Sequence, residues 1–208
     1  MNVKIVLKDD TISYEAILNI LKGAFCEWLD NNLISTVSNY KKEDLLNLTK
    51  NGDIFIAIDE DLQTVLGVCG FNIFNINNLK YCYCSFLAVN NLVKSQGIGT
   101  LLIKQLINYN RSINSEFIYL DTAVPAKKTV HFYLKNNFKI IGYESFNRTN
   151  YYSYIFRYQL KNPSKWNNRF YCRIRFIYSY IRIRILKKSD GDTYLGKFYK
   201  RLKKVQNG

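Results

Sequence analysis

The sequence predicts a mixed α/β fold, with a mainly antiparallel central sheet flanked by helices and a C-terminal helical extension. The chain of 208 residues is long enough for one full core and leaves a remainder. Its hydrophobic period changes from helical to alternating and back over the first 160 residues. Residues 1–156 hold 15 Lys or Arg against 14 Asp or Glu, whereas residues 157–208 hold 15 against 2. We therefore expect a nearly neutral domain over residues 1–160 and a basic amphipathic tail over residues 161–208.

The N-terminal part predicts one strand and two helices. Residues 3–7 are typical of a short strand, after which Asp10 or Thr11 can cap a helix. Apolar residues then recur at helical spacing through residues 17–25, and a second helical stretch covers residues 41–50.

The middle of the chain predicts a meander of three antiparallel strands. Residues 54–58, 64–71 and 79–89 are rich in Ile, Val, Phe, Tyr and Cys. The turn-prone residues 59–61 and 75–78 separate them. Beyond this meander, helices and strands alternate. We expect helices around residues 101–109 and 130–134, and strands at residues 117–120, 139–142 and 151–158.

A glycine-containing loop, Gly97-Ile98-Gly99, follows the last meander strand and opens a predicted helix. Glycines let the backbone approach a ligand, and N–H groups at a helix start attract phosphate. The third spaced glycine of a dinucleotide-binding loop and the Gly-Lys-Ser/Thr of a P-loop are both missing. The loop therefore predicts an anion site of another kind, although two glycines between a strand and a helix also form ordinary turns.

Two sequence blocks resemble the bacterial-type GNAT (N-acetyltransferase) superfamily. Residues 86–102 resemble its cofactor strand, pyrophosphate loop and following helix, with Lys94 at the position of the usual Arg or Gln. Residues 131–138 resemble its last helix and the turn after it, where Asn137 replaces a glycine in a left-handed cap. Ala126 stands where many relatives have a cofactor-binding asparagine.

The resemblance implies the GNAT fold and an enzyme that transfers an acyl group from acetyl-CoA to an amine by direct attack on the thioester. Tyr133 would be the general acid that protonates the departing thiolate; its pattern also fits a core aromatic residue. The strand backbone and the loop would bind the acetyl-CoA, through Leu87, Ala88, Val89, Lys94, Ser95, Gln96, Gly97, Ile98, Gly99 and Thr100.

The acceptor site would involve the variable early helices, around residues 25–39. The expected acceptor is a small amine or an amino sugar, such as a precursor of the cell envelope. Glu27, Asp30, Asp121 and Glu144 are candidates for the general base, and each also fits a solvated surface role. Relatives in the superfamily also use water without a direct base.

The cysteines, the single histidine and the hydropathy bear on disulfides, metal binding and cellular location. The sequence has no spaced disulfide framework, and with a single histidine, His131, it predicts no metal site. No apolar run is long enough for a signal peptide or a membrane span, so we expect a cytoplasmic protein. Buried free thiols are the simplest interpretation of the five cysteines, Cys26, Cys69, Cys82, Cys84 and Cys172.

The basic tail predicts an amphipathic helix followed, after residues 190–192, by a second one, although residues 181–185 also fit a strand. Such a tail suits an anionic membrane surface and would place the protein on the inner leaflet. The alternative is that its apolar stripe packs on the domain or on a second subunit of a homodimer. This stripe is formed by Trp166, Phe170, Ile174, Ile177, Ile181 and Ile185.

Two other functions compete with catalysis. The aromatic and basic residues of the tail could bind nucleic acid, but the sequence has no known recognition motif, which makes nucleic acid the less favoured partner. The second alternative is a GNAT domain that binds acyl-CoA without turnover.

Overall fold

The computed structural model describes residues 1–30, 32–50, 52–76, 78–146, 149–161, 174, 176–178 and 180–181. Seven strands form one sheet in the order β1-β2-β3-β4-β5-β7-β6, in which the β4–β5 pair is parallel and the other pairs are antiparallel. The predicted mixed α/β architecture is confirmed. The elements are β1 Val3–Leu7, α1 Tyr14–Asp30, α2 Lys42–Leu48, β2 Gly52–Asp59, β3 Thr64–Ile76, β4 Leu79–Val89, α3 Ile98–Ser112, β5 Phe117–Ala123, α4 Lys127–Lys135, β6 Lys139–Ser145 and β7 Tyr152–Gln159.

Two predicted boundaries were wrong. The cap of α1 is Ser13, whose hydroxyl accepts a hydrogen bond from the Ala16 N–H at 3.1 Å. Asp9 accepts instead from the N–H of Thr11 at 3.0 Å, so this pair forms a turn before the helix. β3 extends to Ile76, since it stays paired with β4 as far as Leu79 and the turn contains fewer residues than predicted.

Each face of the sheet is covered by helices. On one face, α3 places Leu102 and Leu106 in a core cluster with Phe55 and Phe71. On the opposite face, α1 packs through side chains such as Leu21 into a second cluster of buried residues. The two predicted helix faces therefore account for both sides of the core.

The cysteines agree only partly with the prediction of buried thiols. Cys69, Cys82 and Cys84 are buried and free, as expected. Cys26 is exposed on α1, which contradicts the prediction for that residue. Cys172 lies outside the described residues.

The parallel strands β4 and β5 separate at their C-terminal ends. Their ladder joins Tyr81–Tyr83 to Phe117–Tyr119, after which β4 follows β3 alone to Val89. The β3–β4 register shifts at Ser85, which is the extra residue of a bulge. Because a bulge bends its strand, β4 turns away from β5. We refer to the resulting gap as the β4–β5 cleft.

The described part of the tail is helical, as predicted for this stretch, and it contacts the sheet. The ring of Tyr180 lies 5.3 Å from that of Tyr143, and the ring of Phe176 lies 5.8 Å from that of Tyr154. Three residues of the predicted stripe, Trp166, Phe170 and Ile185, lie outside the described residues. The same holds for residues 182–185 of the possible strand and for the second predicted helix. None of the described helices is long and apolar enough to cross a membrane. The described members of the predicted stripe are exposed rather than packed on the domain, at 48% for Ile174, 48% for Ile177 and 41% for Ile181.

Candidate active site

The predicted pyrophosphate loop connects β4 to the start of α3. Ile98 is 1% exposed and anchors the helix start in the core, whereas Ser95, Gln96 and Gly97 are exposed. Gly97 has φ +87°, a left-handed conformation that favours glycine. No side chain caps α3 within the described residues, and its first intrahelical bond joins the Leu101 N–H to the Gly97 carbonyl at 3.0 Å. The preceding N–H groups of the first turn are therefore available to an anion.

Lys94, at the base of this loop, forms an ion pair with the first helix. Its ammonium group contacts the Glu27 carboxylate of α1 at 2.9 Å. The hydrogen bond from Lys94 lowers the pKa of Glu27. Asn91 donates a further bond to the Gly23 carbonyl at 2.9 Å. The loop is thus fixed to α1 at two points, while its exposed backbone stays free for a ligand.

A cationic groove of about 530 Å³ continues from this loop between α3 and the end of α4. Thr100, the last residue of the predicted loop, lines it together with Lys104, Arg111 and Lys135. Arg111 is held in place by a hydrogen bond to the Tyr158 hydroxyl at 3.1 Å. The groove suits the phosphates of a nucleotide. The sequence did not predict this groove, because basic residues at these positions are typical of the solvated surface of separate helices.

The β4 side of the cleft is formed by Leu87, Ala88 and Val89. All three pair with β3 on one side. In an antiparallel ladder, alternate residues direct their backbone N–H and C=O groups away from the partner strand. This stretch therefore presents backbone groups to the cleft, as the resemblance implies for a bound pantetheine arm.

Tyr133 lies on α4 and is 5% exposed. Its ring packs 5.5 Å from that of Phe156 and 5.7 Å from that of Phe138. Burial, followed by the neighbouring Cys84 thiol, raises the pKa of the Tyr133 hydroxyl well above its usual value. Cys84 is the first residue of β4 beyond the ladder to β5. Tyr133 thus lies beside the start of the cleft, with a hydroxyl that keeps its proton at neutral pH.

Asp121 lies on β5, where the two parallel strands separate. The Tyr83 hydroxyl donates to its carboxylate at 2.5 Å across the start of the cleft. Burial raises the pKa of Asp121, and hydrogen bonding from the Tyr83 hydroxyl and next from the Ser153 hydroxyl opposes that shift. Tyr83 was not predicted as a site residue, because only the register of the parallel pair places it opposite Asp121.

The other three acidic candidates have different surroundings. Glu27 is paired with Lys94, and Asp30 is exposed at the end of α1. Glu144 is buried on β6, which lies two strands away from β5. Asp121 is therefore the candidate that the structure places at the cleft.

An aromatic contact joins α1 to the segment before β7. The ring of Trp28 on α1 lies 5.8 Å from that of Tyr151, which precedes β7. Burial, and next the charge of Asp121, raise the pKa of Tyr151 to about 12. Asn150, which also precedes β7, contacts the segment after α1. Its side chain accepts from the Ile34 N–H at 2.9 Å and donates to the Asn32 carbonyl at 2.6 Å. These contacts fix part of the predicted acceptor region against the segment before β7, whose Tyr151 is close enough to feel the charge of Asp121.

A sheet that opens between two parallel strands, beside a helix start with an exposed glycine loop, is the architecture of an acyl-CoA-dependent acyltransferase. The sequence profile of the acetyltransferase (GNAT) family matches residues 15–138, and the chain belongs to this family. Acetyl-CoA is the acyl donor typical of its members, and the protein is an acyltransferase.

Solved structures support the same fold. A probable acetyltransferase from Staphylococcus epidermidis ATCC 12228 is 16% identical with a TM-score of 0.62, over 76% of this chain and 99% of that chain. A GNAT family acetyltransferase from Elizabethkingia anophelis with acetyl-CoA bound is 15% identical with a TM-score of 0.57, over 76% and 99%. The ribosomal-protein-S18-alanine N-acetyltransferase from Escherichia coli is 11% identical with a TM-score of 0.61, over 78% and 97%. No curated protein matches the sequence significantly.

Proposed function

We propose that the protein is an N-acetyltransferase in which the amine of a small molecule or amino sugar attacks the thioester of acetyl-CoA directly. The observation that carries this proposal is the β4–β5 cleft, which has the glycine loop at one end and Asp121 at the other. A donor bound along β4 would present its thioester between these two ends. An amino sugar of the cell envelope remains one acceptor within this class.

The residues present fit acetyl-CoA. The exposed N–H groups at the start of α3 would hold its pyrophosphate, because the region combines a helix N-terminus with a left-handed glycine. The side chains of Lys104, Arg111 and Lys135 supply positive charge along the adjoining groove. The backbone of Leu87 to Val89 would bind the pantetheine arm and offer an N–H to the thioester oxygen.

Tyr133 is the proposed general acid. The bound donor supplies a thioester whose sulfur leaves as a thiolate, and that sulfur needs a proton. Burial keeps the Tyr133 hydroxyl protonated, and its neighbour Cys84 lies at the start of the cleft. The hydroxyl is therefore available to donate at the point where the sulfur departs.

A CoA-release screen tests the proposed function. Purified protein is incubated with acetyl-CoA and a panel of alkylamines and amino sugars, and free thiol is measured. We expect amine-dependent release with at least one member, together with an acetylated product in mass spectrometry. Thermal stabilisation by acetyl-CoA with no release for any amine would instead support the non-catalytic alternative.

We also propose that the tail binds an anionic membrane surface. Ile174, Ile177 and Ile181 form one exposed apolar face of the described tail helix, while Phe176 and Tyr180 pack against the sheet. The sequence around this face is strongly basic. Exposed apolar residues among basic ones favour a negatively charged lipid surface.

Flotation with phosphatidylglycerol vesicles tests the tail proposal. We expect the full chain to float with these vesicles at low salt, and Ile177→Glu to weaken flotation. The matched control is Leu62→Glu, which adds the same charge at a residue that is 70% exposed on the β2–β3 turn. A soluble dimer that Ile177→Glu dissociates, or salt-sensitive RNA binding without flotation, would overturn the proposal in favour of the homodimer or the nucleic-acid alternative.

A further inference from the structure

We infer that Glu27 is a positioning residue: acetyl-CoA competes with its carboxylate for the Lys94 ammonium group, and α1 carries the resulting shift to Trp28 in the predicted acceptor region. Binding of the donor thereby readjusts the side of the site that receives the acceptor. The inference rests on the proposed function, because it requires a donor at the loop before α3 and an acceptor beside α1. The contacts of the last two turns of α1 support it.

One face of α1 is attached to the loop before α3. The Glu27 carboxylate lies 2.9 Å from the Lys94 ammonium group, and the Asn91 side chain donates to the Gly23 carbonyl at 2.9 Å. Gly23 and Glu27 are four positions apart, so they lie about one turn from each other on the same face of the helix. A shift of the loop is therefore transmitted to α1 at two points.

The end of α1 is attached to the segment before β7. The ring of Trp28 lies 5.8 Å from that of Tyr151. Just after the helix, the Ile34 N–H donates to the Asn150 side chain at 2.9 Å. Trp28 directly follows Glu27, and one residue of a helix rises only about 1.5 Å along the axis. A movement of α1 at Glu27 therefore changes the contact between Trp28 and Tyr151.

The ion pair between Lys94 and Glu27 suits a reversible exchange of partners. Lys94 directly precedes the exposed loop residues Ser95, Gln96 and Gly97, whose backbone would hold the pyrophosphate. The Lys94 side chain is 34% exposed and the Glu27 side chain is 57% exposed. An ion pair this exposed is weak and is screened by salt, so a phosphate anion can replace the carboxylate at little cost. A phosphate also attracts an ammonium group more strongly, because it carries more charge.

A second cation near Glu27 gives its carboxylate another partner. The hydrogen bond from Lys94 lowers the pKa of Glu27, and the charge of Lys128 adds to this effect. Lys128 lies in the first turn of α4, whereas Lys94 belongs to the loop. When a phosphate attracts Lys94, Glu27 can turn towards Lys128 and keep a cationic neighbour. Its hold on the loop then weakens, which releases α1 from the position set by the unliganded protein.

The fluorescence of Trp28 measures this coupling. The chain has two tryptophans, so Trp166→Phe, a change in the tail, leaves Trp28 as the only one. Acetyl-CoA is titrated into this single-tryptophan protein, and calorimetry gives the fraction of protein that is bound. We expect saturation to shift the emission of Trp28. With Glu27→Gln added, the unliganded emission should already resemble that of the donor-bound parent, and acetyl-CoA should change it little at the same occupancy.

The affinity for acetyl-CoA provides a second, independent measurement. Because Glu27→Gln removes the competitor for Lys94, we expect it to bind acetyl-CoA about two- to fivefold more tightly, which corresponds to the strength of an exposed ion pair. Its melting temperature should stay within about 4 °C of the parent for the same reason. A purely structural role of Glu27 would instead weaken binding. In a Lys94→Gln background, Glu27→Gln should have no further effect on affinity or emission.

Asp30→Asn is the matched control, since it removes the same charge from an exposed residue at the end of α1. It should leave the emission shift of Trp28 intact and change the affinity less than Glu27→Gln does. Emission of Trp28 that ignores bound acetyl-CoA, a full shift in Glu27→Gln, or weaker binding by that variant would overturn the role of Glu27 and leave the acetyltransferase intact. If calorimetry detects no acetyl-CoA binding to the wild type, the proposed function fails, and the inference that rests on it fails too.

Discussion

The ionisation of Asp121 affects the stability of the fold. Its carboxyl group is held where burial opposes ionisation. The hydroxyls of Tyr83 and Ser153 compensate only in part, because the pKa of Asp121 stays raised. A group of this kind stabilises the fold most when it is protonated. Its ionisation therefore costs stability as the pH rises through the folded-state pKa.

Thermal unfolding across pH tests this coupling. Because the pKa of Asp121 is raised from 3.8 in the folded protein, Asp121→Asn should gain thermal stability relative to the wild type as the pH rises from about 4 towards neutrality. The measurement is the melting temperature of both proteins between pH 4 and pH 8. A difference that shrinks as the pH rises would contradict the assigned environment.

A second prediction concerns the proposed proton donation by the Tyr133 hydroxyl. Tyr133→Phe keeps the ring contacts with Phe138 and Phe156 and removes the hydroxyl alone. We expect kcat to fall about 100-fold with acetyl-CoA affinity unchanged, since the loss affects proton transfer. Tyr109→Phe is the control, because the ring of Tyr109 packs between α3 and the sheet, against Phe55 and Phe71. Equal kcat values for Tyr133→Phe and the wild type would remove Tyr133 as the acid.

At the scale of elements, the loop before α3 depends on one backbone conformation. The backbone of Gly97 is left-handed, and an added Cβ would meet no neighbouring atom. The cost of a methyl group there therefore comes from the backbone conformation alone. Gly23, inside α1, also has open space but no such conformation. Gly97→Ala should therefore lower the free energy of unfolding by about 1 kcal/mol, whereas Gly23→Ala should raise it by about 0.5–1 kcal/mol. Urea denaturation measures both, and a stabilising Gly97→Ala would contradict the loop geometry.

The order of the strands and helices could be predicted from the sequence, whereas the cleft between β4 and β5 could not. The order of strands and helices follows from local hydrophobic periods, and the left-handed Asn137, at φ 65°, follows from the family pattern of a turn. The cleft depends on pairing between distant segments. Neither the Ser85 bulge, where Asn72 donates to the serine hydroxyl at 3.1 Å, nor the Tyr83–Asp121 contact leaves a local signature. The loop residues were thus predictable, while the residues opposite them were not.

At the scale of the whole molecule, the described tail helix is part of the packed structure. Phe176 contacts the β6–β7 region through Tyr143 and Tyr154, while Tyr178 is 64% exposed. Phe176→Ala should therefore lower the free energy of unfolding by about 1–2 kcal/mol, and Tyr178→Ala should change it by less than about 0.5 kcal/mol. Equal effects in urea denaturation would mean that the tail does not pack on the sheet in solution.

Isothermal titration calorimetry measures whether the loop at the start of α3 binds acetyl-CoA. We predict one site per chain in the wild type and at least a tenfold loss of affinity in Gly97→Glu, which places a carboxylate beside the proposed pyrophosphate site. Leu62→Glu should bind as the wild type does. Absence of binding to the wild-type protein, or undiminished affinity in Gly97→Glu, would contradict the assignment of this loop.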